Sequence, residues 1–248
     1  MSSYNRLAFS YDALTRDVDY EKRADYIEKL FKRSRVPVKI VLDLACGTGS
    51  MTEILAGRGY EMIGADGSAD MLAVAAGKCA RMTGVKPIFL HQDMRRLDLY
   101  GTVDAVICCL DSINYITDIK GLRETLRRVH LFLAPGGVFV FDINSEAKLR
   151  GLDGEMFIDE DDYTFCVWRA SFGAKSRICT YGMDIFTRDK DKWERSQEEH
   201  RERAWSAEEL SQLLTEAGFE DIRTFGDLKF RAPKANEQRI FFACIRGG

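Results

Sequence analysis

One short segment restricts the fold of this chain more than any other, Asp43-Leu44-Ala45-Cys46-Gly47-Thr48-Gly49. It closes a β-branched apolar run, Ile40-Val41-Leu42-Asp43-Leu44, of the kind that suits a strand buried on both faces. It precedes Ser50-x-x-Glu53, which reads as a capping box opening a helix that stops at Gly57 or Gly59. A small residue and two glycines between strand and helix let the backbone turn sharply and leave no Cβ in the way of a close neighbour. The unit then recurs: strands at residues 61–65, 87–91, 103–110 and 138–143 alternate with a helix capped by Ser68 and a second helix over 121–133. An amphipathic helix over 20–33 precedes the first strand, with Tyr20, Ala24, Ile27, Leu30 and Phe31 on one stripe. Strands alternating with helices over about 100 residues predict an α/β fold with a doubly wound, mostly parallel sheet.

The helical period disappears between residues 145 and 203. Strand-like pieces at 163–172, 177–187 and 194–204 are separated by Gly173-Ala174-Lys175 and Arg188-Asp189-Lys190-Asp191-Lys192, which predicts an inserted antiparallel β lid. The α/β pattern resumes at the capping box Ser206-x-x-Glu209, followed by a helix ending at Gly218 and two closing strands at 219–225 and 240–245. The expected organisation is an N-terminal arm and helix (1–34), a Rossmann-like domain (35–144 and 205–248) and the insert (145–204).

Three acidic residues stand at strand ends. Asp43 ends the first, Asp66 follows the second 19 residues after Gly47, and Asp93 follows the third in Gln92-Asp93-Met94. A carboxylate about 20 residues beyond a glycine turn is placed for a ribose diol. Asp93 is placed for an adenine amino group. A dinucleotide site asks for a third glycine, but Thr52 stands there, and the turn contains no lysine or arginine for a pyrophosphate. An acidic nucleoside site without phosphate ligands suits S-adenosylmethionine, whose sulfonium and ammonium are cationic.

At this point the sequence resembles the class I S-adenosylmethionine-dependent methyltransferases. The resemblance rests on residues 42–49, on Gly64-Ala65-Asp66-Gly67-Ser68-x-x-Met71-Leu72, on Gln92-Asp93-Met94 and on Leu133-x-Pro135-Gly136-Gly137. It implies a seven-stranded sheet with the last strand antiparallel. It also implies a cofactor site drawn from Tyr11, Asp43, Ala45, Cys46, Gly47, Gly49, Asp66, Gly67, Met71, Gln92, Asp93, Met94 and Cys109. Asp43 and Gly47 would then lie near the methionine moiety, Asp66 on the ribose and Asp93 at the adenine. The family usually has glycine where Ala45 stands. An N-terminal arm with Tyr4, Phe9, Tyr11 and Asp12 is expected either to fold over the cofactor or to pack on the body.

The fourth strand runs into Asp111-Ser112-Ile113-Asn114-Tyr115, the position beside the transferred methyl in the family. It lacks the [DN]PP[YF] motif of adenine and glutamine methylating enzymes, and no proline precedes Cys108 or Cys109 as in RNA cytosine enzymes. This segment, Asp93-Met94-Arg95 and Glu198-Glu199-His200-Arg201 resemble small-molecule methyltransferases, including the amino-sugar N,N-dimethyltransferases. The expected reaction is methyl transfer to N or O of a small-molecule acceptor, with His200 or Asp111 as candidate bases. The alternatives are a non-catalytic S-adenosylmethionine-binding sensor or assembly protein, and an NAD-dependent oxidoreductase.

A formal net charge of −3 disfavours nucleic acid as a partner. Seven cysteines without CxxC spacing, several in apolar runs, predict buried free thiols and a reducing, cytoplasmic setting. No apolar run is long enough for a membrane span, and three scattered histidines predict no metal site. The oligomeric state is left open between monomer and dimer.

Overall fold

The computed structural model describes residue 15 and residues 17–248; Tyr4, Phe9, Tyr11 and Asp12 lie outside the described residues. Helix α1 (Tyr20–Phe31) leads into β1 (Ile40–Leu44), α2 (Ser50–Gly57), β2 (Glu61–Asp66), α3 (Ala69–Cys79), β3 (Ile88–His91), β4 (Val103–Cys108), α4 (Ile119–Phe132) and β5 (Leu133–Asn144). A short helix, α5 (Glu146–Gly151), opens the insert. Strands β6 (Met156–Glu160), β7 (Thr164–Gly173), β8 (Ile178–Asp189) and β9 (Lys192–Arg203) follow, and α6 (Ala207–Glu216), β10 (Phe219–Gly226) and β11 (Arg239–Arg246) close the chain.

The main sheet has seven strands in the order β10-β11-β5-β4-β1-β2-β3. Only β11 runs against its neighbours, β5 and β10, as the family resemblance implied. The chain winds from β1 outward to β3 and then crosses back to β4, so the order reverses between β1 and β4. That reversal opens a crevice at the carboxyl ends of the strands.

The strand period of two divides the core into two layers. Val41, Ala105, Ile107, Val138, Val140, Phe241 and Ala243 face α1 and α2. Leu42, Val106, Cys108, Phe139, Phe141, Phe242 and Cys244 face α4 and α6. Phe141 and Phe242 stack across β5 and β11 with centroids 4.7 Å apart. All seven cysteines are free, six of them buried and Cys46 half-buried. No helix among the described residues is long and apolar enough to cross a membrane.

The insert is an antiparallel meander of four strands, β6-β7-β8-β9. The sequence pattern showed three; β6 is an edge strand whose Met156, Phe157 and Ile158 are all exposed, so no burial alternation marks it. Helix α5 also went unread, being too short for a period, though Ser145 caps it through the Lys148 N–H at 3.2 Å. The root of the insert is stitched to the turn after β4. Asn114 donates to the carbonyls of Asn144 (3.0 Å) and Arg203 (2.9 Å), and Trp205 Nε1 donates to the Ile116 carbonyl (3.0 Å).

Two caps behave differently from each other. Ser206 and Glu209 form the reciprocal box expected of them. Ser50 and Glu53 do not: Gly49 is the N-cap, in the left-handed region at φ 75, with no side-chain cap bond. Ser50 Oγ instead accepts from Lys78 Nζ at 3.1 Å. Helix α4 starts two residues earlier than its pattern suggested because Asp118 caps it through the Gly121 N–H at 2.8 Å.

A Cβ built on Gly49 would come within 2.8 Å of Ala75 Cβ on α3. Gly49→Ala therefore combines left-handed strain with a clash against a helix. It is expected to destabilise the fold by about 2–5 kcal/mol in urea unfolding.

Candidate active site

The turn after β1 is built on three alternate positive φ angles, Ala45 (60), Gly47 (54) and Gly49 (75). The Cys46 N–H bonds the Ala65 carbonyl at 3.1 Å, which ties the turn to the end of β2. Asp66 ties it a second time. Its carboxylate accepts the Gly47 N–H (2.9 Å) and the Ser68 N–H (2.8 Å). Burial pushes the Asp66 carboxyl up, and the N–H groups it accepts pull it back. A carboxylate offers about four lone-pair sites, so these N–H groups do not exhaust it. Cβ atoms at Gly47 and Gly67 would meet nothing within 4 Å, which leaves an open cradle between the β1 and β2 turns.

Asp43 lies beneath this cradle, only 2% exposed. Burial pushes its carboxyl up to about 7, against the Thr52 hydroxyl that donates to it at 2.5 Å. At the end of β3, Asp93 caps the single turn Met94–Arg96 and accepts the Arg95 guanidinium, whose Nε lies 2.9 Å away, which lowers its carboxyl from the ordinary value. Gln92 clamps the same loop by bonding both backbone groups of Asp98.

Beyond β4 the backbone is strained: Leu110 and Asp111 both have φ 55. For residues other than glycine that conformation costs on the order of 1–2 kcal/mol each. The Asp142 carboxylate, fully buried on β5, accepts both of their N–H groups at 3.0 and 3.3 Å. Arg239 on β11 then bridges Asp142 and Asp111, with its Nη2 2.6 Å from Asp111 Oδ1. Arg23 from α1 approaches Asp142 from the far side at 3.7 Å.

The insert closes the other wall. Glu202 on β9 is 3% exposed and accepts from Asn144 Nδ2 at 2.9 Å. Burial and then the Asp111 charge push its carboxyl up to about 8, against Asn144, Lys148 and Arg239. Asn144 Oδ1 is buried with no hydrogen-bond partner among the described residues. His200 is also 3% exposed; its Nε2 lies 3.0 Å from Glu198 Oε2, and its ring meets Tyr115 edge-on at 6.0 Å.

These elements surround one cavity of about 690 Å³. That is within the roughly 300–1,000 Å³ of small-molecule sites. Among the sequence candidates, Ala45, Gly47, Asp66, Gly67, Met71, Asp93, Met94, Asp111 and His200 line it. Asp43, Gly49, Gln92 and Cys109 stand behind the wall: Asp43 and Cys109 are buried, Gly49 is packed on Ala75, and Gln92 braces a loop; half-buried Cys46 is not among the lining residues. Tyr11 lies outside the described residues.

Sequence reasoning missed Glu202, Asn144, Lys148, Tyr181, Trp168 and Arg239, all of which line the cavity. Glu202 sits two residues from His200 on the same face of β9, a period-two signal that could have flagged it. Arg239 had no such signal, since its partners lie 97 and 128 residues away.

The cradle, the acidic strand ends and, among the described residues, the lack of an uncommitted cation at the glycine turn define a nucleoside-binding Rossmann-like α/β protein. The residues present fit S-adenosylmethionine: a side-chain-free cradle, a carboxylate with free lone pairs, and apolar walls at Met71, Met94 and Ile116. Comparison with known proteins agrees. The family described as "Methyltransferase domain" matches residues 41–137. A Bacillus subtilis (strain 168) protein named as a methyltransferase, YqeM, is 32% identical, covering 96% of this chain and 95% of its own. The crystal structure of an S-adenosylmethionine-dependent methyltransferase from Clostridium acetobutylicum ATCC 824 superposes with a TM-score of 0.88 and 34% identity, covering 99% of both chains. A glycine/sarcosine N-methyltransferase of Halorhodospira halochloris is 28% identical over 86% of this chain and 78% of its own. An amino-sugar N,N-dimethyltransferase of Streptomyces fradiae is 32% identical over 50% of this chain and 47% of its own.

This chain belongs to the S-adenosylmethionine-dependent methyltransferases. It is an enzyme with S-adenosylmethionine as its cofactor, and neither the binding-only nor the oxidoreductase alternative is favoured.

Removing Arg239 would take from the buried Asp142 carboxylate and the part-buried Asp111 carboxylate the guanidinium that bridges them. Arg239→Met is expected to cost about 3–5 kcal/mol, read as a lowered midpoint in chemical denaturation.

Proposed function

We propose that this enzyme methylates a nitrogen of a small-molecule amine in the cavity between the glycine turn and the insert. The observation that carries the reading is the buried pair Glu202–Asn144. A carboxylate and an amide oxygen without a donor stand on the wall of the same cavity that Gly47 and Asp66 open into. Both are hydrogen-bond acceptors, suited to the N–H groups of an amine. The relatives named as glycine/sarcosine and amino-sugar methyltransferases act on nitrogen, which supports the choice of N over O.

In this reading Asp66 holds the ribose diol, Asp93 meets the adenine amino group, and Asp43 and Gly47 lie by the methionine moiety. Met71 and Met94 flank the base. Residues 145–204 serve as the lid over the acceptor, and the described root bonds from Asn114 and Trp205 fix the lid's base to the turn after β4. S-adenosylmethionine supplies an electrophilic methyl carbon on positive sulfur.

The chain's own work is alignment and proton handling. Alignment of reactants is worth about 7–11 kcal/mol of barrier when well oriented. An amine enters as ammonium and must lose one proton before its lone pair can attack. Ionised Glu202 receives that proton and keeps the nitrogen in place. Asp111 and His200 are already engaged, by Arg239 and Glu198, so in this reading they serve as walls of the acceptor's space.

Isothermal titration with S-adenosylhomocysteine tests the cofactor half. Asp66→Ala is expected to weaken binding by about tenfold or more. An unchanged affinity in a folded variant would remove Asp66 from the ribose.

The acceptor half has a pH signature. The Glu202 carboxyl is raised in the folded state, so its contribution to stability is complete below about pH 4 and is lost as pH rises through about 8. Glu202→Gln should therefore gain in thermal midpoint relative to the wild type between pH 6 and 9. Activity should run the other way. The wild-type kcat/KM rises toward pH 8, while Glu202→Gln loses that rise and falls by about 10²–10⁴-fold.

A further inference from the structure

Besides His200, three cationic side chains among the described residues line the cavity: Arg95, Arg239 and Lys148. Two are committed. Arg95 grips Asp93 with its Nε at 2.9 Å, and Arg239 bridges Asp111 and Asp142. Lys148 is different. It sits half-buried in α5 at the root of the insert, and its Nζ has no hydrogen bond or ion pair among the described residues. Burial and then the Arg239 charge lower its ammonium from the ordinary value, against the attraction of Asp111, Glu202 and Asp142. Asp111 and Asp142 already spend their charge on Arg239.

A second donor on the same cavity lacks an acceptor. Trp168 on β7 lines the cavity, and its indole N–H is buried without a hydrogen-bond partner among the described residues. Buried donors without acceptors are costly and are normally satisfied by something. Both donors line the same cavity, and both are suited to an anionic group there.

The sheet order says which ligand supplies it. Lys148 follows β5, two strands from β1 across β4, or about 10 Å at the usual strand spacing. The cofactor cradle lies between the β1 and β2 turns, on the other side. We infer that the acceptor is an amine that also carries an anionic group, a carboxylate or a phosphate, with Lys148 holding the anion while Glu202 holds the nitrogen. This rests on the amine reading above and adds the second charge.

The test uses the full chain, methyl-labelled S-adenosylmethionine and a bacterial small-molecule extract split on an anion exchanger at pH 11. At that pH plain amines are neutral and pass through, whereas amines bearing a carboxylate or phosphate are retained. Both fractions are returned to pH 8 and assayed. The expected result is labelled N-methyl product from the retained fraction. Phosphatase treatment of that fraction then separates the two anions: lost labelling means phosphate, and persisting labelling means carboxylate.

Label on nitrogen from the unretained fraction alone would overturn the anion inference and leave the amine reading standing. Label on oxygen from the retained fraction would sink the amine reading and keep the anion at Lys148. No label from either fraction overturns both. Lys148→Met, checked for an unchanged circular dichroism spectrum, is expected to raise KM for the retained fraction's acceptor about tenfold or more. Its affinity for S-adenosylhomocysteine should stay within about twofold, and Lys148→Arg should recover most of the loss. A tenfold loss of S-adenosylhomocysteine affinity in Lys148→Met would assign Lys148 to the cofactor's carboxylate and overturn the proposal.

Discussion

The Asp142 carboxylate is the contact on which the rest of this site depends. It is fully buried in the middle of the sheet, yet it accepts two backbone N–H groups and faces two arginines. Those N–H groups belong to Leu110 and Asp111, which sit in a conformation that side chains avoid. A strained turn persists only where its surroundings over-determine it. Here β5 supplies the carboxylate, β11 supplies Arg239, and α1 supplies Arg23. Three elements far apart in the chain therefore converge to hold one turn beside the cavity.

That turn also anchors the insert. Asn114, three residues beyond Asp111, bonds the backbone on both sides of the insert, at Asn144 and Arg203. Asn144 in turn orients Glu202. The strained turn, the end of β5 and the last insert strand thus form one hydrogen-bonded unit. A shift in any member would move the insert's wall of the cavity relative to the glycine cradle. Alignment of reactants is the main service a methyl-transfer site provides, so this rigidity has a chemical use.

The two halves of the cavity differ in how far the sequence disclosed them. The half lined by the glycine turn was largely readable, because a tight strand–helix turn and its companion carboxylate are local patterns. Gly47 and Asp66 are 19 residues apart, and the structure joins them by one hydrogen bond. Even there, local reasoning mistook support for lining. Gly49 is small because Ala75 leaves no room, and Gln92 is polar because it braces Asp98. The Ser50 box failed for a similar reason, since Lys78 from the next helix claimed its hydroxyl.

The sequence alone determined the doubly wound sheet, the hairpin that closes it, the antiparallel insert and the position of the glycine cradle. Each follows from a periodicity or a spacing of at most about 20 residues. Only the tertiary structure decided which residues of the insert and the last strand line the cavity. Glu202, Lys148, Trp168 and Arg239 come from the insert and the last strand, and Arg239 bridges Asp142 and Asp111 across 97 and 128 residues of chain. Pairing between buried charges is fixed by packing across the sheet, which leaves no periodic trace along the chain. The opposite fates of Arg239 and Lys148, one locked and one open to the cavity, are therefore a property of the fold.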